Sequence, residues 1–116
     1  MDDYYKGFEG NPEIDFYTYK DNGEKIGLEI WEGYFNEIMQ EIKPVNGKWR
    51  SLAYYYHLYE GWYDESPWEI PNNKEALELL ETVETSQLDV IPQEILLKLI
   101  KLLKENINNT IYIEYD

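Results

Sequence analysis

Asp21-Asn22-Gly23 stands between two runs in which apolar and polar residues alternate, Ile14 to Tyr19 and Lys25 to Ile30. No other feature limits the fold so tightly. Alternation at period two builds a strand with one apolar face. Asn-Gly is the dipeptide favoured in a tight hairpin, because both central residues of a type I′ turn need positive φ. The spacing predicts a β-hairpin over 13–19 and 25–31, closed by that turn.

The period changes after Glu32. Trp31, Phe35, Ile38, Met39 and Ile42 recur at spacings of three and four, one face of a helix that Pro44 and Gly47 end. Trp49, Leu52, Ala53, Tyr56 and Tyr59 repeat the spacing and predict a helix over 49–60, with Gly61 just past its end. Residues 64–72 hold Pro67 and Pro71 and read as loop. Asn73 is placed to cap a helix from 74 to about 84, with Ala76, Leu77, Leu80 and Val83 inward. Pro92 suits the first position of a last helix over 92–107. Its apolar residues, Ile95, Leu96, Leu99, Ile100, Leu102, Leu103 and Ile107, spread wide enough to pack on both sides. Thr110 to Tyr115 alternates again, a closing strand expected to pair with the hairpin. The predicted fold is one small α+β domain: a hairpin and a C-terminal strand in an antiparallel sheet of about three strands, packed on about four helices.

The chain carries 24 acids against 10 bases, a formal net charge of −14. From Glu60 to Asp89 the acids are Glu60, Asp64, Glu65, Glu69, Glu75, Glu78, Glu81, Glu84 and Asp89, against the single base Lys74. Charge of that sign steers toward a cationic partner, and it argues against direct nucleic-acid binding, where phosphate contacts need Lys and Arg. Cysteine is absent, so no disulfide, thiolate nucleophile or Cys-based metal site is expected. The first residues, MDDYYKGFEG, have neither a basic region nor an apolar run, and no stretch is apolar enough for a bilayer. A soluble, cytoplasmic protein is the expectation.

No catalytic set emerges. The one histidine, His57, stands in a run of tyrosines and reads as a half-buried hydrogen-bonding residue. None of Ser51, Ser66 and Ser86 sits in a nucleophile elbow. A zinc site lacks ligands, and neither Asp64-Glu65 nor Asp21-Asn22-Gly23-Glu24 has calcium-loop spacing. No metal or cofactor is expected. Glu60, Asp64, Glu65 and Glu69 amid Trp62, Tyr63 and Trp68 do have the composition of a sugar cleft with two acids, so a small carbohydrate-active enzyme is a lesser alternative.

Recognition fits the residues better. Tyr54 to Glu69 reads YYYHLYEGWYDESPWE and holds no Lys or Arg. Rings supply contact area at low entropic cost, and carboxylates raise the association rate. Between Gly61 and Pro67, Trp62, Tyr63 and Trp68 are either lids over the core or exposed anchors. Large rings on loops usually cover a core, which favours lids, while the acids between them favour anchors, since burying Asp64 and Glu65 would need partners that the segment lacks. Glu75, Glu78 and Glu81 lie opposite the apolar face of the third helix, and Glu78, Glu81 and Glu84 repel at close helical spacing with no lysine interleaved among them. The last helix alternates sign instead, with Glu94 and Lys98 at i, i+4 and Lys101 and Lys104 beyond. The candidate partner-binding residues are Glu60, Trp62, Tyr63, Asp64, Glu65, Trp68, Glu69, Glu75 and Glu78.

This segment, with the small size, the acidity and the lack of cysteine, resembles the immunity proteins of bacterial polymorphic toxin systems, including contact-dependent growth inhibition. The resemblance is densest over residues 49–83. It implies a cytoplasmic antitoxin that binds one cognate basic toxin domain, frequently a nuclease, and blocks its active site or substrate groove. A phage-type nucleic-acid mimic that occupies a host defence enzyme is the alternative within the same class.

Overall fold

The structure, a computed structural model, describes residues 1–116. In chain order its elements are β1 (Asp2–Tyr4), β2 (Glu13–Tyr19), β3 (Lys25–Trp31), α1 (Glu32–Gln40), α2 (Ser51–Leu58), β4 (Trp68–Glu69), α3 (Asn73–Glu81), α4 (Val90–Glu105) and β5 (Tyr112–Tyr115). Short 3₁₀ turns at Gly61–Tyr63 and Thr85–Gln87 interrupt the connections.

The hairpin forms with the expected strand limits, but its turn differs. Lys20 N–H donates to the Glu24 carbonyl and Gly23 N–H to the Lys20 carbonyl, both at 2.8 Å. Only Gly23 among the loop residues has positive φ, +86°. The loop is therefore a type I turn followed by a left-handed glycine, the usual three-residue hairpin. Asn22 spends its side chain locally, accepting the Glu24 N–H at 2.9 Å.

The sheet has five strands in the order β1-β3-β2-β5-β4, not three. It is mixed rather than antiparallel, because β1 runs parallel to β3. β5 pairs with β2 as expected. The two missed strands are short edges, the form in which a sheet edge invites least further pairing. β1 has too few residues to show a period. It is held from the side by α4, where Tyr4 Oη donates to Glu94 at 2.6 Å and Lys98 pairs with Asp2 at 3.3 Å. Lys98 thus leaves its expected i, i+4 partner for a strand. β4 lies inside the segment read as loop, between Pro67 and Pro71, and pairs only with β5. Proline is tolerated beside an edge strand of this kind.

The helices cover one side of the sheet. Ile14, Phe16, Leu28, Ile30 and Ile113 project from the strands into one core with Phe35, Ile38, Leu52, Leu80, Ile95 and Leu99 from the helices. α4 packs against α1, α3 and β3. Leu97 stays exposed on its remaining face. The cap of α3 is Asn72, whose side chain accepts the Glu75 N–H at 3.0 Å. Asn73, expected in that role, instead donates to the carbonyls of Ile107 and Asn109 at 3.2 and 2.7 Å, tying the start of α3 to the end of α4. α4 begins at Val90, so Pro92 is its third residue, still within the first turn where a missing N–H costs nothing. No helix is long and apolar enough to cross a membrane.

Candidate functional site

The aromatic-acidic segment divides into an inner and an outer half. α2 is capped at its C-terminus by Tyr59, which takes the left-handed conformation at φ +57°, ψ +43°. The chain then turns at Gly61, φ +70°, and the 3₁₀ turn drives Trp62 inward. Trp62 is 0% exposed and meets Phe35 edge-on and Trp68 at a tilt, with centroids 5.9 and 5.5 Å apart. Trp68 packs on Tyr55 at 4.7 Å and lies against Gly61, where an added Cβ would come 3.1 Å from the indole. Trp62 is therefore a core residue and not a partner-binding anchor. Trp68 is half-buried in the same cluster. Both act as lids because a 3₁₀ turn and a paired edge strand point their rings back over the sheet. Tyr63 is half-buried between Tyr59 and Tyr115, each 5.1 Å away, and burial pushes its hydroxyl above the usual tyrosine range.

What does reach solvent here was missed. Tyr59 is 71% exposed, and Tyr54 and Leu58 of the same helix are also exposed. Glu60, Asp64 and Glu65 follow on the surface, and none of them pairs with a cation. The legible signal was the position of Tyr59 two residues before a helix-ending glycine, where the chain leaves the core face.

The other predicted acids belong elsewhere. Glu75 and Glu78 are exposed on α3 and line a groove with Val45, Arg50 and Leu79. Glu81 is neutralised by Lys104 at 3.4 Å. Glu69 sits on β4 opposite Tyr112. His57 stacks on Trp49 with centroids 3.7 Å apart, and burial lowers its pKa. Ser66 Oγ accepts the Tyr115 N–H at 2.8 Å.

The sheet face away from the helices holds a second concentration of acids. Alternation places Glu13, Asp15, Tyr17 and Tyr19 of β2 on it, with Lys25, Gly27, Glu29 and Trp31 of β3. Register then aligns Asp3, Glu29, Asp15 and Glu114 in one row across β1, β3, β2 and β5. Glu13 and Asp116 pair in the next row, through backbone hydrogen bonds of 3.1 and 3.0 Å. Tyr17 and Tyr112 stack in the row on the other side, 5.4 Å apart. The face carries one lysine, Lys25, and its ammonium sits over the Tyr17 ring at 4.0 Å. Like charges opposite one another weaken a sheet. Asp15 shows the result: it is 8% exposed, and burial together with Glu13, Glu29 and Glu114 pushes its carboxyl up to about 8. Glu29 is raised for the same reasons, burial first. The Tyr17 hydroxyl donates to Glu114 Oε1 at 2.9 Å and is itself raised.

Searches against protein-family models, curated proteins and solved structures found no match to this chain.

Proposed function

We propose that this protein binds and neutralises a basic protein domain, in the manner of the immunity proteins it resembles, and that the target is a toxin whose groove is built for phosphate. The observation that supports this most is Tyr59. Its ring is 71% exposed, and the neighbouring Tyr54 and Leu58 are exposed as well, so large apolar side chains gather on the surface of one segment. Tyr59 stands with Tyr54 and Leu58 at the end of a helix, beside three carboxylates that no cation of this chain answers. Ring anchors surrounded by charge of one sign are the composition of a binding hot spot for a partner of the opposite sign. The partner-binding set becomes Tyr54, Leu58, Tyr59, Glu60, Asp64 and Glu65, with Tyr63 beneath it.

The nucleic-acid-mimic reading draws on the row Asp3, Glu29, Asp15 and Glu114. It is the weaker of the two. Adjacent strands lie about 4.8 Å apart, and a row that holds a proton near neutral pH ionises less fully than a row of phosphates.

The test is capture from cells that encode the protein, at low salt and at about 0.5 M salt, where exposed charge pairs are largely screened. A single basic partner should be retained through high salt and lost by Tyr59→Ala. Once purified, it should lose its activity on mixing with the wild-type chain. A diffuse set of basic proteins, shed by salt and indifferent to Tyr59, would overturn the reading.

A further inference from the structure

We infer that the outer face of the sheet binds one hard divalent cation of the calcium type, with Asp15 as the central ligand and Glu13, Glu29, Glu114 and Asp116 around it. Two triads carry the geometry, Glu13–Asp15–Glu29 and Asp15–Glu114–Asp116, and in each the carboxylate oxygens lie within 4.8 Å of one another. Calcium bonds oxygen at about 2.3–2.6 Å, so two ligands on opposite sides of one ion stand roughly 4.6–5.2 Å apart. Oxygens within 4.8 Å of one another are close enough to share one such ion.

A cluster of acids on a surface is commonly no more than solvated charge. Asp15 sets this one apart. It is nine-tenths buried, and its Oδ1 is closed off from solvent without a hydrogen bond from any donor of the chain. A buried carboxylate oxygen with no donor is costly to the fold, and it is satisfied by a proton or, in the proton's place, by a cation. The protein's own cations do not. Lys25 is engaged by the Tyr17 ring, and the Met1 amino group only partly offsets the repulsion at Glu29, whose carboxyl stays raised.

The donor set decides the class of ion. All five ligands offer carboxylate oxygen, with no imidazole and no thiolate, which suits calcium, magnesium or manganese rather than zinc or copper. Calcium takes six to eight oxygens in irregular arrangements, whereas magnesium demands a near-ideal octahedron at shorter bonds. Side chains fixed by strand register on three neighbouring strands meet the looser requirement. Tyr17 supplies an outer support, since its hydroxyl holds Glu114 Oε1 and so fixes the direction of that carboxylate.

The site is independent of the α2 surface, and it is tested on the isolated chain, so its failure would leave the proposed function standing. The protein is stripped with EDTA and titrated calorimetrically with CaCl₂, with MgCl₂ in parallel and NaCl at matched ionic strength. The expected result is saturable binding of one calcium per chain, tighter than magnesium, with no heat from NaCl. Asp15→Asn and Glu29→Gln should each weaken it at least about tenfold, the loss that even outer-shell changes produce, while Glu78→Gln leaves it unchanged. If circular dichroism shows Asp15→Asn unfolded, Glu29→Gln and Glu114→Gln decide. Heats that NaCl reproduces, or that survive in all of these variants, would overturn the site.

Discussion

The indole of Trp62 meets the ring of Phe35 edge-on with 5.9 Å between centroids, and this contact fastens the aromatic-acidic segment to the first helix. The most conspicuous ring of the segment is thereby structural. Trp62→Ala should cost about 3–5 kcal/mol of stability, the range for removing a large aromatic from a core. Urea unfolding checks it. A folded Trp62→Ala with unchanged midpoint would mean that the ring is not in the core.

Gly27 is a second fixed point. It lies mid-strand at φ +153°, and an added Cβ would overlap the Phe16 carbonyl oxygen and come 2.7 Å from the Tyr17 Cα. Neither neighbour can yield, since both are backbone of the paired strand. Gly27→Ala should therefore lose about 3 kcal/mol or more. Gly10→Ala, with open space around the new Cβ but the same need for positive φ, should lose only about 1–2 kcal/mol. Chemical denaturation of the two variants side by side measures the difference.

Asp15 gives the protein an unusual dependence on pH. Its folded-state carboxyl titrates at about 8, above its ordinary 3.8, so between these values the folded chain holds a proton that the unfolded chain has lost. Stability from neutral Asp15 is fully present below the unfolded pKa and falls as pH rises through about 8. Glu29 is shifted in the same direction. In EDTA-containing buffer, Tm should drop as pH is raised from about 4 toward 8, and Asp15→Asn should flatten the decline. At about pH 8 the variant should melt several degrees above the wild type, since about 1 kcal/mol moves Tm of a domain this size by roughly 4–8 °C. Identical pH profiles for the two proteins would contradict the repulsion at this site.

Much of the fold was legible because period and punctuation agreed along the chain. The limits of β2 and β3 follow from the alternation on either side of Asn22-Gly23, and the four helices from the three-four spacing of their apolar residues. What escaped lacked a local signal. β1 and β4 have three and two residues, too few to show any period, and they are placed by distant elements, β1 by β3 and β4 by β5. The turn type went to the side chain of Asn22, whose local hydrogen bond competes with the conformation that the dipeptide usually favours.

The candidate sites were legible only in part. Composition marked the segment around Trp62, yet composition does not state which way a ring points, and the 3₁₀ turn after Gly61 reversed the roles of Trp62 and Tyr59. The carboxylates on the sheet gave a weak trace in Glu13-x-Asp15 and Glu114-x-Asp116, where two successive outward positions are both acids. Spacing rules for metal loops pass over them, because their convergence with Glu29 needs three strands that lie far apart in sequence.

The most direct measurement is the binding kinetics of the captured basic partner with Tyr59→Ala and with the triple variant Glu60→Gln, Asp64→Gln, Glu65→Gln, at two salt concentrations. Tyr59→Ala should leave the unfolding free energy within about 1 kcal/mol of wild type and speed dissociation, at a cost of about 2–4 kcal/mol in affinity. The triple variant should slow association at low salt and match wild type at high salt. If both variants keep wild-type rates at both salts while remaining folded, this helix end is not the binding surface and the proposed function loses its support.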